Sequence, residues 1–182
     1  MTPGRVIFLL EERSMKVLLD DLLPRLFPGW VEHQHFQCVP HEGKSDLESS
    51  FPRKLRAWRE PGVRFVVMRD NDGANCIDLK ARYVRLCREA GRPETVVRLV
   101  CQELESWYLG DLRAVAEAFQ ENVDTVPLLR RFASPDGFNN ASQELRRLIP
   151  AYQKMGGARK LSPHMSAARN CSTSFQIFLS GI

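Results

Sequence analysis

Residues 64–73 read Arg-Phe-Val-Val-Met-Arg-Asp-Asn-Asp-Gly, an apolar run that stops at acidic turn residues. An earlier run of the same kind, Val6–Leu10, ends at Glu11 and Glu12. Continuous apolar runs of this length are typical of strands buried on both faces, as in a parallel sheet. We therefore predict central parallel strands at 6–10 and 64–68, each followed by carboxylates.

The segments around these two strands predict a regular alternation of helices and strands. Helical periodicity begins near Ser14, a candidate N-cap, and weaker strand-like alternation follows before the helical pattern resumes. The other predicted elements are helix 14–26, strand 31–39, helix 46–59, helix 77–87, strand 95–101 and helix 102–119. Since parallel strands need crossover connections, this order predicts an α/β, three-layer fold with a mainly parallel four-stranded central sheet flanked by helices.

The last third of the chain has a less regular pattern. Ser134–Gly137 predicts a turn, 142–149 a short helix, and Gly156-Gly157 a flexible break. We see no internal repeat and no second domain. We expect one domain over residues 1–182, with a core at residues 1–120 or so and a C-terminal extension over the remaining residues to 182.

Composition narrows the class of protein. The 182 residues are 43% hydrophobic, and 26 basic against 22 acidic residues leave a net charge of +4, which permits a nucleic-acid partner without requiring one. No apolar run is long enough for a signal-peptide core or a membrane span, so we expect a cytoplasmic protein without membrane contact. Five scattered cysteines without a CxxC pair argue against a disulfide framework and a structural zinc site.

Carboxylates follow three of the predicted strands. They are Glu11, then Asp70 and Asp72, then Glu103 and Glu105. Ligands of open parallel sheets bind beyond the carboxyl ends of the strands, and gathered carboxylates repel one another unless a cation lies among them. Hard oxygen ligands select Mg²⁺, with Mn²⁺ as the second choice, so the sequence predicts a metal site.

Simpler explanations of the same acids stay open. Asp-Asn-Asp-Gly is good turn chemistry, and an Asp or Asn after a strand often only caps the next helix. An acidic cluster can also receive a phosphoryl group or bind a partner protein.

These residues resemble a known family. A strand ending in Glu, followed later by a strand ending in Asp-x-Asp, looks like the Toprim domain of topoisomerases, bacterial primases and overcoming-lysogenization-defect nucleases. The stretches 6–14, 41–46, 69–73 and 102–111 resemble the bacterial domain-of-unknown-function family 4276, and this resemblance covers nearly the whole chain.

The Toprim resemblance implies a Rossmann-like fold and a chemistry. Glu11 would be the general acid/base, and Asp70 and Asp72 would hold Mg²⁺ against a phosphodiester, with Glu103 or Glu105 completing a second metal site. Related small Toprim proteins often work beside an ABC-type ATPase in antiphage defence, which implies such a partner. One departure is Glu12, where many Toprim domains have Gly, and this puts catalysis in doubt.

Basic residues supply candidate contacts to phosphate. Lys44 lies in a Gly-containing loop before a predicted helix, and Lys154, Arg159, Lys160 and His164 gather in the C-terminal third. We predict that they grip phosphate or nucleic acid, DNA or RNA. A helix cap for the loop and ordinary solvated charge for the C-terminal group are the alternatives.

The leading hypothesis is a Mg²⁺-dependent nuclease, or a related Toprim protein that acts on phosphodiesters. The alternative is a catalytically silent Toprim-like interaction subunit that docks or regulates a partner protein, which Glu12 favours. Nothing in the sequence decides between a monomer and a homo-oligomer.

Overall fold

The computed structural model describes residues 4–182 and contains a four-stranded sheet in the order β2-β1-β3-β4. All four strands are parallel. In the register, Leu10 at the end of β1 lies opposite Pro40 of β2 and Met68 of β3. The strands are β1 Val6–Leu10, β2 Phe36–Pro40, β3 Arg64–Asp70 and β4 Val96–Val100.

Helices connect the strands and continue beyond the last one. Their bounds are α1 Arg13–Leu26, α2 Lys44–Ala57, α3 Cys76–Glu89, α4 Glu105–Leu109, α5 Leu112–Phe119, α6 Val126–Arg131, α7 Ala141–Leu148, α8 Lys154–Leu161 and α9 Thr173–Leu179, with a 3₁₀ turn at Pro135–Gly137. The predicted α/β three-layer class with a parallel four-stranded sheet is confirmed. None of these helices is long and apolar enough, over residues 4–182, to cross a lipid bilayer.

The chain forms two compact units. The first contains the residues up to Arg69 together with Ala74–Leu99, and the second contains Asp70–Gly73 with Val100–Ile182. The prediction of a single domain over 1–182 stays a prediction.

Helices cover the sheet of the first unit and bury its central strand β1. Apolar side chains of β1, β3 and β4 form one buried cluster with α2 and α3. Phe51 of α2 stacks on Tyr83 of α3 within it, with ring centroids 5.3 Å apart. Helix α1 packs on β1 and β2 and buries Leu18, Leu19 and Leu22. The fully buried β1 therefore reads as a continuous apolar run in the sequence.

Two predictions in the first unit need correction. The strand predicted at 31–39 is shorter, because the chain turns at His33, where φ is 65°, and the Val31 N–H donates to His35 Nδ1. Ser14 is not the N-cap of α1. The cap is Glu12, whose carboxylate accepts a hydrogen bond from the Ser14 hydroxyl.

The second unit is built around Trp107. Its ring contacts Phe175 and Phe178 of α9, each with ring centroids 5.0 Å away, and its indole N–H donates to Ser174 Oγ at 2.9 Å. An edge contact and a hydrogen bond both fix the orientation of a buried indole. The C-terminal helix α9, which the sequence did not predict, therefore belongs to this core.

Two predictions in the second unit were wrong. The helix predicted at 102–119 breaks into α4 and α5, because Asp111 accepts a hydrogen bond from the Ala114 N–H and starts a new helix. Gly156-Gly157 is not a flexible break, since α8 runs through both glycines. Gly157 is needed there because a Cβ would lie 2.1 Å from the Tyr152 ring.

Candidate functional site

Glu11 lies directly after β1 and is largely buried. Its backbone N–H donates to the Met68 carbonyl at 3.0 Å, which continues the pairing of β1 with β3. Its carboxylate lies 3.7 Å from Nε of Arg69, and the two side chains are only 12% and 6% exposed. Sequence reasoning missed Arg69, because an arginine at the end of an apolar strand gives no signal that its side chain stays buried.

Arg69 is held in place by an aromatic ring as well. Its Nη1 donates to the Tyr83 hydroxyl at 3.3 Å, and the guanidinium lies 5.7 Å from the centre of the same ring. Burial raises the pKa of Tyr83, so its hydroxyl stays neutral. The guanidinium is therefore held by contacts to both the Tyr83 side chain and the Glu11 carboxylate.

The loop after β2 approaches the backbone of Glu11. The Gly43 N–H donates to the Glu11 carbonyl at 2.9 Å, and Gly43 has a φ of 98°, a conformation that favours glycine. Lys44, the first residue of α2, is exposed beside this contact. Lys44 therefore lies at the end of the sheet where Glu11 follows β1.

His41 is a buried residue at the same edge that sequence reasoning left out. Its Nδ1 lies 2.8 Å from the Leu10 carbonyl and its Nε2 lies 2.7 Å from Nζ of Lys54. Burial, followed by the nearby Lys54 charge, lowers the pKa of the imidazole. A neutral ring with its proton on Nδ1 satisfies both contacts, donating to Leu10 and accepting from Lys54.

Asp70, Asn71 and Asp72 follow one another at the end of β3. The strand was predicted to stop at Met68 but extends to Asp70, whose side chain is 4% exposed. The buried Asn71 pairs through its backbone N–H with the Val100 carbonyl at 3.0 Å, and its Oδ1 accepts from the Gln102 N–H. Asp72 is exposed and has a φ of 48°. One acid is thus enclosed and the other faces solvent.

Glu103 and Glu105 have partners within the second unit. Both oxygens of Glu103 accept hydrogen bonds from Ser142 in the first turn of α7, at 2.8 Å from its N–H and 2.9 Å from its Oγ. Glu105 is 1% exposed and accepts from the Tyr152 hydroxyl at 2.8 Å. Burial raises the pKa of Glu105, against the lowering effects of Lys154 and Tyr152. The two acids thus tie the start of α4 to later parts of the chain.

The predicted C-terminal phosphate-binding residues do not share one environment. Lys154 is close enough to Glu105 for their charges to interact. Arg159 and Lys160 are exposed, with the Lys160 ammonium 5.2 Å from the centre of the Phe119 ring. His164 Nδ1 lies 3.3 Å from a carboxylate oxygen of Glu117. Their role in phosphate binding stays a prediction.

Asp70 and Asp72 carry the oxygen ligands that a divalent metal ion prefers. Within residues 4–182, no three His, Cys, Asp or Glu side chains are grouped so that they could hold a metal ion. Mg²⁺ usually takes one or two protein carboxylates and completes its shell with water and substrate phosphate. Buried Asp70 and exposed Asp72, both hard oxygen donors, fit this smaller requirement.

A sequence model of the family described as Domain of unknown function (DUF4276) matches residues 10–182, so this chain belongs to that family. No curated protein and no solved structure matches the chain. The resemblance to family 4276 is confirmed, while the Toprim resemblance stays a prediction.

Proposed function

We propose that this member of the DUF4276 family is a Mg²⁺-dependent, Toprim-like enzyme that acts on phosphodiesters, with nuclease as the leading activity. One observation carries the proposal: Asp70 is a buried acid at the carboxyl end of a central parallel strand, and exposed Asp72 follows two residues later. Ligands of parallel α/β sheets bind at this end of the strands. A buried carboxylate is stabilised by hydrogen bonds, by a paired charge or by a bound metal ion.

Asp70 and Asp72 are the proposed metal ligands. A bound Mg²⁺ or Mn²⁺ would neutralise charge that develops on a phosphodiester. The enclosed position of Asp70 limits the positions its oxygens can take, and the left-handed backbone of Asp72 fixes the turn that carries the second carboxylate. Two carboxylates leave part of a Mg²⁺ shell for substrate oxygens.

Glu11 is the proposed proton acceptor. It follows β1, the parallel neighbour of β3 in the sheet. Its carboxylate lies 3.7 Å from Nε of Arg69, and a carboxylate in this position can accept a proton from water or a hydroxyl. Lys44, exposed at the start of α2 beside the Glu11 backbone, would attract a phosphate group.

Calorimetry of Mg²⁺ and Mn²⁺ binding tests the metal site. We expect wild type to bind and the double variant Asp70→Asn, Asp72→Asn to lose binding, because both proposed ligands lose their charge. Asp21→Asn, which changes an exposed acid of α1, is the matched control and should bind as wild type does. Circular dichroism must show that all three proteins are folded.

Cleavage of a mixed DNA and RNA panel in Mg²⁺ tests the activity. We expect wild type and Glu11→Gln to bind metal equally, while Glu11→Gln cleaves at least about a hundredfold more slowly, as is usual on loss of a proton-transfer group. A wild-type protein that binds no metal would overturn the proposal.

Metal binding without cleavage would favour the catalytically silent interaction subunit. Glu12 supports that alternative, because it adds a charged side chain at the start of α1, where its carboxylate accepts a hydrogen bond from the Ser14 hydroxyl. An ABC-type ATPase partner and a role in antiphage defence rest on the Toprim resemblance alone.

A further inference from the structure

Arginines from two helices of the second unit share one buried carboxylate. Glu144 of α7 is 7% exposed, and its Oε2 accepts a hydrogen bond from Nη2 of Arg131 at 2.5 Å. Its Oε1 accepts from Nη1 of Arg147. Arg131 is in the last turn of α6 and Arg147 in the last turn of α7. One carboxylate thus holds the C-terminal turns of both helices by charged hydrogen bonds.

Both guanidinium groups are fixed and still reachable from solvent. The Arg131 and Arg147 side chains are 52% and 66% exposed. Arg131 also lies over the ring of Phe132, 5.3 Å from its centre. A guanidinium has five N–H donors, so the bond to Glu144 leaves donors for another acceptor. Two pre-positioned cations lose less side-chain entropy on binding an anion than two free arginines would.

The surrounding sequence is basic. Residues 126–160 contain two acids, Asp136 and Glu144, against seven basic residues: Arg130, Arg131, Arg146, Arg147, Lys154, Arg159 and Lys160. Both acids are engaged, since Asp136 accepts hydrogen bonds from Ser172 Oγ and from the Ser174 N–H, each at 2.7 Å. Arg130, Arg131, Arg146 and Arg147 are all exposed. The C-terminal turns of α6 and α7 therefore present positive charge to solvent.

We propose that the Arg131–Arg147 surface, formed by these two residues on Glu144, binds the phosphodiester backbone of nucleic acid. Planar guanidinium groups match phosphate oxygens in pairs and are weakly hydrated, which suits them to this contact better than lysines. The inference rests on the proposed function, because it assigns nucleic acid as the substrate class. It needs no metal, since backbone binding depends on charge alone.

Fluorescence anisotropy in EDTA tests this surface with two labelled probes of equal length, a duplex DNA and an RNA hairpin. The test variant combines Glu144→Gln, Arg131→Gln and Arg147→Gln, so that no buried charge loses its partners. We expect binding at low salt to weaken at least about tenfold and the slope of log affinity against log salt to fall by about two. The probe that binds more tightly identifies the nucleic acid.

Arg85→Gln is the matched control, because it also lowers the net charge by one and changes an exposed arginine of α3. It should bind within about twofold of wild type. Equal loss in both variants, or no binding of either probe by wild type, would overturn the proposal. So would tighter binding of polyglutamate with the same loss in the triple variant, which would assign an acidic protein instead.

Asp70→Asn with Asp72→Asn separates this inference from the proposed function. In EDTA that variant should bind both probes at least as tightly as wild type does, because it removes two negative charges and leaves Arg131 and Arg147 unchanged. Lost metal binding with retained nucleic-acid binding would show that the two sites act independently. If wild type binds metal but the triple variant and Arg85→Gln bind the nucleic-acid probes equally well, the Arg131–Arg147 surface is overturned and the metal site is not.

Discussion

The backbone N–H of Asp72 donates to the backbone carbonyl of Gln102 at 3.1 Å, and both residues are left-handed, with φ angles of 48° and 64°. The Gln102 N–H donates a hydrogen bond to Oδ1 of Asn71. Left-handed backbone costs a residue with a Cβ roughly 1–2 kcal/mol. Two strained residues therefore hold each other beside Asp70, and strain of this kind is common at binding sites.

Replacing Gln102 with glycine should stabilise the protein. The change removes the left-handed cost of roughly 1–2 kcal/mol and adds a glycine entropy cost of about 0.5–1 kcal/mol. It also removes Oε1 of Gln102, a buried oxygen that has no hydrogen-bond partner within residues 4–182. We expect urea denaturation to show a rise of about 0.5–1 kcal/mol in the free energy of unfolding.

Gln120→Gly is the control for this prediction, since Gln120 is an exposed C-cap of α5 with a φ of 57°. The free energy of unfolding of Gln120→Gly should rise by a similar amount. A loss at Gln102 beside a gain at Gln120 would mean that the Gln102 side chain supports the Asp72 turn.

The two neighbouring glycines of α8 should respond in opposite directions to alanine. A Cβ at Gly157 would lie 2.1 Å from Tyr152, whereas a Cβ at Gly156 has no neighbour within 4 Å. Gly157→Ala should lower the free energy of unfolding by about 1–3 kcal/mol, because the Tyr152 ring must move. Gly156→Ala should raise it by about 0.5–1 kcal/mol through helix propensity. Chemical denaturation of both variants measures the contrast, and equal effects would contradict this packing.

Glu105→Gln should change how stability depends on pH. Burial raises the pKa of Glu105, so the folded protein holds a proton that the unfolded chain releases above the ordinary value of 4.5. Wild type therefore loses stability as the pH rises from 4.5 through the raised folded pKa, and the loss is complete above it. Glu105→Gln lacks this loss. Its stability relative to wild type should therefore rise between pH 4 and pH 8, as measured by thermal unfolding.

Glu121→Gln is the comparison for Glu105, because Glu121 is exposed. Its stability relative to wild type should stay constant over the same pH range. A Glu105→Gln curve parallel to that of wild type would show that Glu105 is ionised in the folded protein.

Asp111→Ala should be strongly destabilising. The buried carboxylate caps α5 through the Ala114 N–H, accepts from the Ser166 N–H at 2.8 Å and pairs with Arg169 at 3.1 Å. Loss of a cap and of charged hydrogen bonds should cost about 2–4 kcal/mol in the free energy of unfolding. Asp124→Ala, at an exposed position, should cost less than about 0.5 kcal/mol. A small effect at Asp111 would contradict its role in joining α5 to the segment before α9.

Local pattern predicted most of the first unit. Helix α1 was predicted at 14–26 and is Arg13–Leu26, and β1 is where the apolar run lies. Such elements can be predicted because apolar residues recur with the helical period in a helix and form an unbroken run in a buried central strand. The strand ending at Asp70 was predicted two residues short, because Arg69 is polar in sequence yet buried against Tyr83 in the fold.

Partners distant in sequence were not predictable in the same way. Three acids lie close together in the chain. Glu103 and Glu105 were interpreted as possible metal ligands, and Asp111 was given no role. In the fold they contact Ser142, Tyr152 and Arg169, which are 39, 47 and 58 residues away. No periodicity carries information about which distant residue will meet a given carboxylate.

Residue pattern and motifs were enough to predict the α/β class, the order of the elements up to β4, the family and the acids that end β1 and β3. The class and the element order depend on hydrophobic period and turn residues, which act locally, whereas the family rests on the resemblance of the stretches 6–14, 41–46, 69–73 and 102–111. The folded structure was needed to show that Asp70 is buried while Asp72 is exposed, that Arg69 pairs with Glu11, and that Glu144 contacts both Arg131 and Arg147. Burial and pairing of charges arise when separate elements pack, because desolvation and charge partners depend on neighbours that the local chain does not contain.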